Sequence, residues 1–243
     1  MSEEKTKVWR LGFAEIGCKD SILTLGASAE TTTLIGCYAY LIKRNNEYIL
    51  VDCGIEDIDT VNKTKSSIDD WKRSATDGDI LWNLKRIGVD PKEISKVFIT
   101  HSHYDHFSGV VHFENAKIYM SQKEYDFLHS ESHGHRKYLD SAVNFIENKK
   151  TNGSLILFDE EYIEGDIKCK LIGGHTVGSI LVYIGNFLFT GDVVYLAENI
   201  EKEISIGFCL DASEAKKAVS LCKAHKGIVL TGHDMKCPVF SEE

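Results

Sequence analysis

One stretch of six residues concentrates side chains that bind metals. His101-Ser102-His103-Tyr104-Asp105-His106 places three imidazoles and a carboxylate close together in the chain. Such groups repel one another when they are all protonated, and they leave polar atoms unpaired when they are buried and neutral. A divalent cation removes both costs, because imidazole nitrogen and carboxylate oxygen are ligands that Zn²⁺ takes in catalytic sites. The stretch therefore predicts a metal site.

The residues before this motif predict how it is held. Lys96-Val97-Phe98-Ile99-Thr100 is apolar and partly β-branched, which is typical of a buried strand. In an extended segment the side chains of residues i and i+2 point the same way, so His101 and His103 can hold one metal together. If the chain then turns into a helix, Asp105 and His106 project differently and can reach a second metal nearby.

Three further residues with metal-binding side chains follow predicted strands and stand beside glycine. They are His175 in Gly173-Gly174-His175, Asp192 in Thr190-Gly191-Asp192 and His233 in Thr231-Gly232-His233. Glycine lets the backbone turn tightly and approach a site that other residues would crowd. Each of these short motifs alone is more typical of a turn than of a ligand. Their recurrence at successive strand ends favours one assembled site.

The remaining pattern predicts hairpins that alternate with helices. Further strands are predicted at 38–42, 48–51, 117–120, 155–158, 167–172, 179–184, 187–190 and 228–231. Helices are predicted from Ile80 to a stop at Gly88, over much of 122–149, and over 211–224 with Asp211 as N-cap. Residues 56–79 predict a long loop with short helices. This order predicts an α+β fold with two packed β-sheets and helices on the outer faces.

Composition and length restrict the class of protein. A chain of 243 residues predicts a single domain over residues 1–243. The formal charge of −9 argues against a nucleic-acid partner, which needs a basic face. No run approaches the ~18 apolar residues of a membrane span, and no signal-like segment follows the N-terminus. Seven scattered cysteines without a Cys-x-x-Cys pair predict reduced thiols and a cytoplasmic protein, with Cys53 as a buried apolar residue.

The sequence HxHxDH, followed by His, Asp and His, resembles the metallo-β-lactamase fold superfamily from about Tyr38 to Asp234. Val51-Asp52-Cys53-Gly54 is similar to the strand-ending Asp-x-Gly of that family. The resemblance implies two mixed β-sheets in an αβ/βα sandwich and a site for two Zn²⁺ ions, with Fe, Mn or Co as alternatives; it also allows a homodimer. By this resemblance one metal is held by His101, His103 and His175, the other is held by Asp105, His106 and His233, and Asp192 bridges both.

A two-metal site of this kind predicts hydrolysis. Two divalent cations about 3.5–4 Å apart repel strongly, so carboxylates and a shared hydroxide must compensate their charge. Water bound to such a metal loses a proton at a pKa of about 7, which provides a nucleophile without a separate base. Oxygen-reducing di-iron relatives carry Glu where this chain has His103, so an iron-dependent redox enzyme is the less favoured alternative.

Tyr195, three residues after Asp192, resembles the tyrosine of N-acyl-homoserine lactone lactonases. This likeness implies that a metal-bridging hydroxide attacks the ester carbonyl of a small-molecule lactone and opens the ring. Tyr195 and Asp105 are then the catalytic residues: Tyr195 donates to the oxyanion, and Asp105 passes a proton to the leaving alkoxide. The alternative is a glyoxalase II-like thioesterase or another acyl or phosphoryl ester hydrolase of the same fold.

Other polar and aromatic residues have less specific predictions. Asp52 and Asp234 are expected to orient ligand imidazoles through the second ring nitrogen, although Asp52 also suits a turn. The histidines predicted to be solvated are His129, His133 and His135. The walls of a substrate groove are expected from 56–79 and 121–150. Candidates either for this lining or for the core are Trp71, Trp82 and Phe107.

Overall fold

The computed structural model describes residues 6–44, 46–64, 70–73, 78–134 and 139–237. One sheet contains β1 (Lys7–Lys19), β2 (Thr32–Arg44), β3 (Glu47–Val51), β4 (Ile94–Phe98), β5 (Lys117–Ser121) and β6 (Leu155–Phe158). These strands lie side by side in chain order. The pairs β1/β2 and β2/β3 are antiparallel, whereas the pairs from β3 to β6 are parallel. The sheet is therefore mixed.

The second sheet has the order β11-β10-β9-β8-β7. Its strands are β7 (Glu161–Glu164), β8 (Ile167–Leu171), β9 (Ile180–Ile184), β10 (Phe187–Phe189) and β11 (Ile228–Leu230). Among the described strands of this sheet, only β10 and β11 pair in parallel, because the chain between them crosses over through helices. This second mixed sheet carries the end of the chain that includes His233.

Side chains point alternately to the two faces of each sheet, and these faces form the layers of the fold. Tyr40, Ile42 and Val51 of the first sheet pack in one buried cluster with Val182 and Phe189 of the second sheet. The intervening residues of the first sheet point to the opposite face, where they meet helices in a separate cluster. The second sheet is likewise covered on its outer face. The predicted α+β sandwich of two mixed sheets with outer helices is confirmed.

The helices predicted at 80–88 and 211–224 are confirmed. The predicted helical region 122–149 contains two separate helices among the described residues, and the helices at 20–23 and 197–202 were not predicted. In chain order the structure has the following helices. They are α1 (Asp20–Leu23), α2 (Ile58–Thr64), α3 (Ile80–Ile87), α4 (Tyr104–Phe107), α5 (Gln122–Leu128), α6 (Asp140–Thr151), α7 (Ala197–Lys202) and α8 (Ala212–Ala224). Gly88 ends α3 at a φ of 80°, and the Asp211 side chain caps α8 by accepting from Ser213 N and Glu214 N. Within the described ranges, no helix is long and apolar enough to cross a membrane.

Two strands were not predicted. β1 mixes polar and apolar residues over its 13 positions, so it lacks a clean alternation. β7 is short, mostly exposed and charged. In the predicted 56–79 loop the structure has α2 and an isolated bridge between Glu15 and Lys72, whereas 65–69 and 74–77 lie outside the described residues. Cys53 is fully buried, as predicted.

Candidate metal centre

The histidine motif lies where β4 passes into a short helix. His103 is the extended N-cap of α4, and Asp105 and His106 are the second and third residues of that helix. The predicted change from strand to helix is therefore confirmed, and it separates the directions of the two halves of the motif. The other loops need glycine: Gly191 has a φ of 50°, and a Cβ on Gly232 would lie 2.7 Å from Asp192 Oδ1. These glycines let three loops approach one point.

The seven predicted side chains come together as two groups that share Asp192. One group consists of His101, His103, His175 and Asp192, and the other consists of Asp105, His106, Asp192 and His233. Within each group the potential ligand atoms all lie within 4.8 Å of one another, and every residue is buried. Each group has the size and donor types of a site for one divalent cation.

The two carboxylate oxygens of Asp192 face different groups. Oδ1 lies 2.9 Å from His106 Nε2 and 3.0 Å from His233 Nε2. Oδ2 lies 3.6 Å from His101 Nε2 and 3.4 Å from His175 Nε2. A carboxylate in this position can offer one oxygen to a cation in each group.

The outward nitrogens of the imidazoles meet hydrogen-bond acceptors. His106 Nδ1 lies 2.9 Å from Asp52 Oδ2, and His233 Nδ1 lies 2.6 Å from the carbonyl oxygen of Gly36. His175 Nδ1 is 3.1 Å from the carbonyl oxygen of Phe208. A ring nitrogen that faces such an oxygen carries the proton. When such a ring is neutral, as a metal ligand must be, its inward Nε2 atom therefore presents the lone pair.

The inward ring nitrogens lie so close to one another that they require a cation or a proton between them. His106 Nε2 and His233 Nε2 are 3.3 Å apart, and His175 Nε2 is 2.9 Å from His103 Nδ1. His101 Nε2 is buried with no hydrogen-bond partner among the described residues. Lone pairs that converge in this way repel in the dry interior of a protein. The residues present therefore fit two bound divalent cations.

The carboxylates dominate the electrostatics of the cluster. Burial opposes ionisation of Asp192, but His106, His233 and His101 together hold its pKa well below the usual range. Burial likewise opposes protonation of His106, yet Asp192, Asp105 and Asp52 raise its pKa well above the ordinary value. Asp192 is thus an anion at neutral pH, and the cluster is built around negative charge that favours cations.

A pocket of about 500 Å³ opens beside the cluster. Its apolar walls come mainly from β1, α1 and β2, and they are joined by Phe208 and Trp71. Of the two segments predicted to form the walls, 56–79 contributes Trp71. No described residue of 121–150 lines this pocket, and residues of β1 lie there instead. The apolar and aromatic lining residues include Ile16, Cys18, Ile22, Ile35, Trp71, Tyr104 and Phe208. Of the other two aromatic candidates, Phe107 lies in the core and Trp82 stacks under Arg86.

Tyr195 lines the same pocket, as its spacing from Asp192 predicts. Its hydroxyl oxygen is 3.4 Å from His175 Nδ1, and its ring lies beside that of His233 at 5.4 Å between centroids. Burial raises the pKa of the phenol well above 10, with a smaller contribution from Asp192. The hydroxyl therefore remains a neutral hydrogen-bond donor.

The predictions for the surrounding polar residues had mixed outcomes. Asp52 orients His106, as predicted. Asp234 was wrongly predicted to orient an imidazole; its carboxylate accepts from the backbone N of Ala197 and Lys236 instead. His129 is exposed as predicted, and His135 lies outside the described residues. His133 was wrongly predicted to be solvated: it is 3% exposed and its Nε2 lies 3.0 Å from Ser102 Oγ.

The model of the Metallo-beta-lactamase superfamily matches residues 32–233. The chain therefore belongs to this superfamily, whose name agrees with the resemblance of the histidine motif. Among proteins of known name, an N-acyl homoserine lactonase of Bacillus thuringiensis is 31% identical over 172 residues. A second, from Bacillus cereus, is 28% identical over 222 residues, which cover 84% of this chain and 85% of that protein.

The extent of these similarities differs between sequence and structure. The B. thuringiensis match covers 65% of each protein, so it spans slightly less than two thirds of the relative's length. A solved N-acyl homoserine lactone hydrolase, with N-hexanoyl-L-homoserine bound at its catalytic metal centre, superposes with a TM-score of 0.79 at 22% identity. That superposition covers 97% of this chain and 98% of the other, and it shows the shared fold.

Proposed function

We propose that this protein is a dinuclear zinc hydrolase that opens the ring of an N-acyl-homoserine lactone or a related lactone. The observation that carries the proposal is the position of Asp192, whose two carboxylate oxygens face separate histidine groups at the floor of an apolar pocket. The relatives named as N-acyl homoserine lactonases support the choice of a lactone.

In this proposal the seven clustered side chains hold two metal ions, and Asp192 contributes to both sites. Zinc suits the donor set, because it takes imidazole nitrogen and carboxylate oxygen without a strong geometric preference. When bound, the two metals supply Lewis acidity and lower the pKa of water toward about 7, which hydrolysis at neutral pH requires. The outward hydrogen bonds of His106, His175 and His233 hold a ring proton on Nδ1, so that Nε2 is the nitrogen available to a metal.

Two residues of the pocket take part in the reaction. Tyr195 holds its hydroxyl proton, because burial raises the pKa of the phenol, so it can donate to the carbonyl oxygen as that atom gains negative charge. Asp105 lines the pocket, and its Oδ2 lies 3.7 Å from His233 Nε2. We assign Asp105 to take a proton from the attacking water and pass it to the leaving oxygen of the opened ring.

The apolar lining of the pocket indicates that the apolar part of the substrate is the part buried there. Ile16, Ile22 and Ile35 form an apolar wall beside the cluster. A volume of about 500 Å³ is within the usual range for small-molecule sites, so it can take a lactone ring together with an apolar acyl chain. This wall would hold the acyl chain while the ester bond lies at the metal ligands.

A substrate panel on metal-quantified protein tests the proposal. The panel contains N-acyl-homoserine lactones of short and long acyl chains, a glutathione thioester and a phosphodiester. We expect the highest kcat/KM for a lactone, with release of one acid equivalent per ring opened. A higher kcat/KM for the thioester or the phosphodiester would contradict the lactone assignment. A visible iron spectrum after anaerobic purification would contradict the zinc assignment.

A further inference from the structure

Glu124 is a buried carboxylate that touches two ligand-bearing loops. It lies in the first turn of α5 and is 1% exposed. Its Oε1 accepts from Ser102 N at 2.7 Å and from Ser102 Oγ at 2.5 Å. Its Oε2 accepts from Thr176 Oγ1 at 2.6 Å. One carboxylate thus joins the loop of His101 and His103 to the loop of His175.

The donors around Glu124 all point toward it. Because the Ser102 hydroxyl donates to Glu124, its lone pairs are left to accept from His133 Nε2 at 3.0 Å. Because the Thr176 hydroxyl also donates to Glu124, it can accept from Ser179 Oγ at 2.7 Å. An ionised carboxylate accepts only, so this arrangement satisfies both oxygens without a competing donor.

The packing at this point leaves little freedom for either loop. Ser121 caps α5 by accepting from Glu124 N, and its own hydroxyl donates to the carbonyl of Gly178 at 2.6 Å. A Cβ on Gly178 would lie 2.1 Å from Glu124 N. The loop after His175 therefore rests directly on the first turn of α5.

These contacts involve only one of the two metal-ligand groups. Ser102 separates His101 from His103, and Thr176 follows His175. These three histidines belong to the same group of potential ligands. In the other group, His106 and His233 are oriented by Asp52 and by the carbonyl of Gly36 instead.

We propose that Glu124 is a positioning residue that holds the His101–His103 loop and the His175 loop at the correct separation for one metal ion. The inference rests on the proposed function, because it assumes that this histidine group binds a metal. It assigns Glu124 no contact with substrate. Loss of a residue that orients metal ligands typically weakens metal affinity by about 10- to 100-fold.

Glu124→Gln is the sharpest variant, because it keeps the shape of the side chain. Its amide oxygen can still accept from Ser102, but its NH₂ group would face the Thr176 hydroxyl, which now donates. Thr176→Val removes the donor of the same hydrogen bond. It is the test variant if Glu124→Gln does not fold. Glu147→Gln is the matched control, since Glu147 is half-exposed on α6 and pairs with His129.

The measurement is chelator competition on the zinc-loaded full chain, with metal content counted at each chelator concentration. We expect both test variants to release one of two zinc ions at about 10- to 100-fold lower chelator concentration, while the second ion and the Glu147→Gln protein behave as wild type. Urea unfolding in excess chelator should show that all four proteins fold, with a modestly lower midpoint for the two test variants because each loses a buried hydrogen bond.

Two results would overturn the inference. One is unchanged release of both ions from both test variants. The other is an equal loss of both ions together with a lower urea midpoint, which indicates a structural role alone. Wild-type protein that binds no zinc is a separate result, because it contradicts the proposed function itself and removes this inference with it.

Discussion

Asp52 Oδ2 lies 2.9 Å from Nδ1 of His106, and the same oxygen accepts the Thr100 hydroxyl at 2.8 Å. Thr100 Oγ1 is in turn 3.2 Å from His101 Nδ1. One carboxylate therefore influences an imidazole in each ligand group. Asp52 also has a φ of 62°, a left-handed conformation that costs a non-glycine residue roughly 1–2 kcal/mol. The hydrogen bonds of its side chain help to offset that strain.

Asp52→Asn should weaken retention of both metals by about 10- to 100-fold. The Asp52 carboxylate accepts from His106 Nδ1, Thr100 Oγ1 and Thr100 N, whereas an amide has only one acceptor oxygen. The check is chelator competition with zinc counted per chain. Asp59→Asn is the control, since Asp59 is an exposed residue of α2. Retention of both metals at the wild-type level would show that Asp52 serves the turn and not the ligands.

Tyr195→Phe should lower kcat for lactone opening by up to about 10², the usual effect of losing one donor to an oxyanion. Metal content should not change, because Tyr195 is outside the two ligand groups. Steady-state kinetics on variants with measured zinc content provide the comparison. An unchanged kcat would remove Tyr195 from the reaction.

The raised pKa of Tyr195 also predicts how the effect of Tyr195→Phe on kcat depends on pH. Burial raises the pKa of Tyr195 above 10, so the donating form persists below that pH and would be lost only as pH rises through the higher folded-state pKa. The ratio of wild-type to Tyr195→Phe kcat should therefore stay constant from about pH 6 to pH 9. A ratio that falls steeply near pH 8 would mean that Tyr195 ionises in that range, contrary to its burial.

Gly191→Ala should destabilise the fold through close packing against Thr100. The new Cβ would lie 2.4 Å from Thr100 Oγ1 and 2.6 Å from Thr100 Cβ. Gly165→Ala has a similar backbone strain, with a φ of 63° and nothing within 4 Å. Gly191→Ala should therefore lower the free energy of unfolding by about 1–3 kcal/mol more than the control. Urea unfolding in excess chelator tests this, and equal losses would refute the packing argument.

Ile22→Ser should raise KM for long-chain lactones more than for short-chain lactones. Ile22 lines the pocket and is 36% exposed, so only part of its side chain can be covered by an acyl chain. At about 0.8 kcal/mol per buried CH₂, losing one such contact raises KM roughly fourfold. Leu25→Ser is the control, because Leu25 is 52% exposed and is not among the lining residues. Equal effects on both chain lengths would contradict the proposed acyl wall.

The residues best predicted from the sequence were those with a local signal. His101, His103 and Asp105 stand out by type and spacing, and the strand before them is marked by a run of β-branched and apolar residues. Asp192 and His233 could be placed beside them because each follows such a strand and a glycine. The structure has these features as predicted because they depend on only a few neighbouring residues.

What the sequence could not predict depends on contacts between distant residues. Glu124 looks like an ordinary first-turn residue of a helix, and only the fold brings it to Ser102 and Thr176. His133 was predicted to be solvated because its neighbours are polar, but the fold buries it against Ser102 and Phe127. The contribution of β1 to the pocket walls was also missed. Because β1 has no clear periodicity, it was not predicted as a strand.

Whether this protein is a dinuclear zinc lactonase is tested by a zinc titration of the metal-free full chain, with the rate of N-acyl-homoserine lactone opening measured at each step. We expect negligible activity without metal and a maximum when two zinc ions are bound per chain. Full activity in the metal-free protein, or no lactone opening with two zinc ions bound, would contradict that assignment.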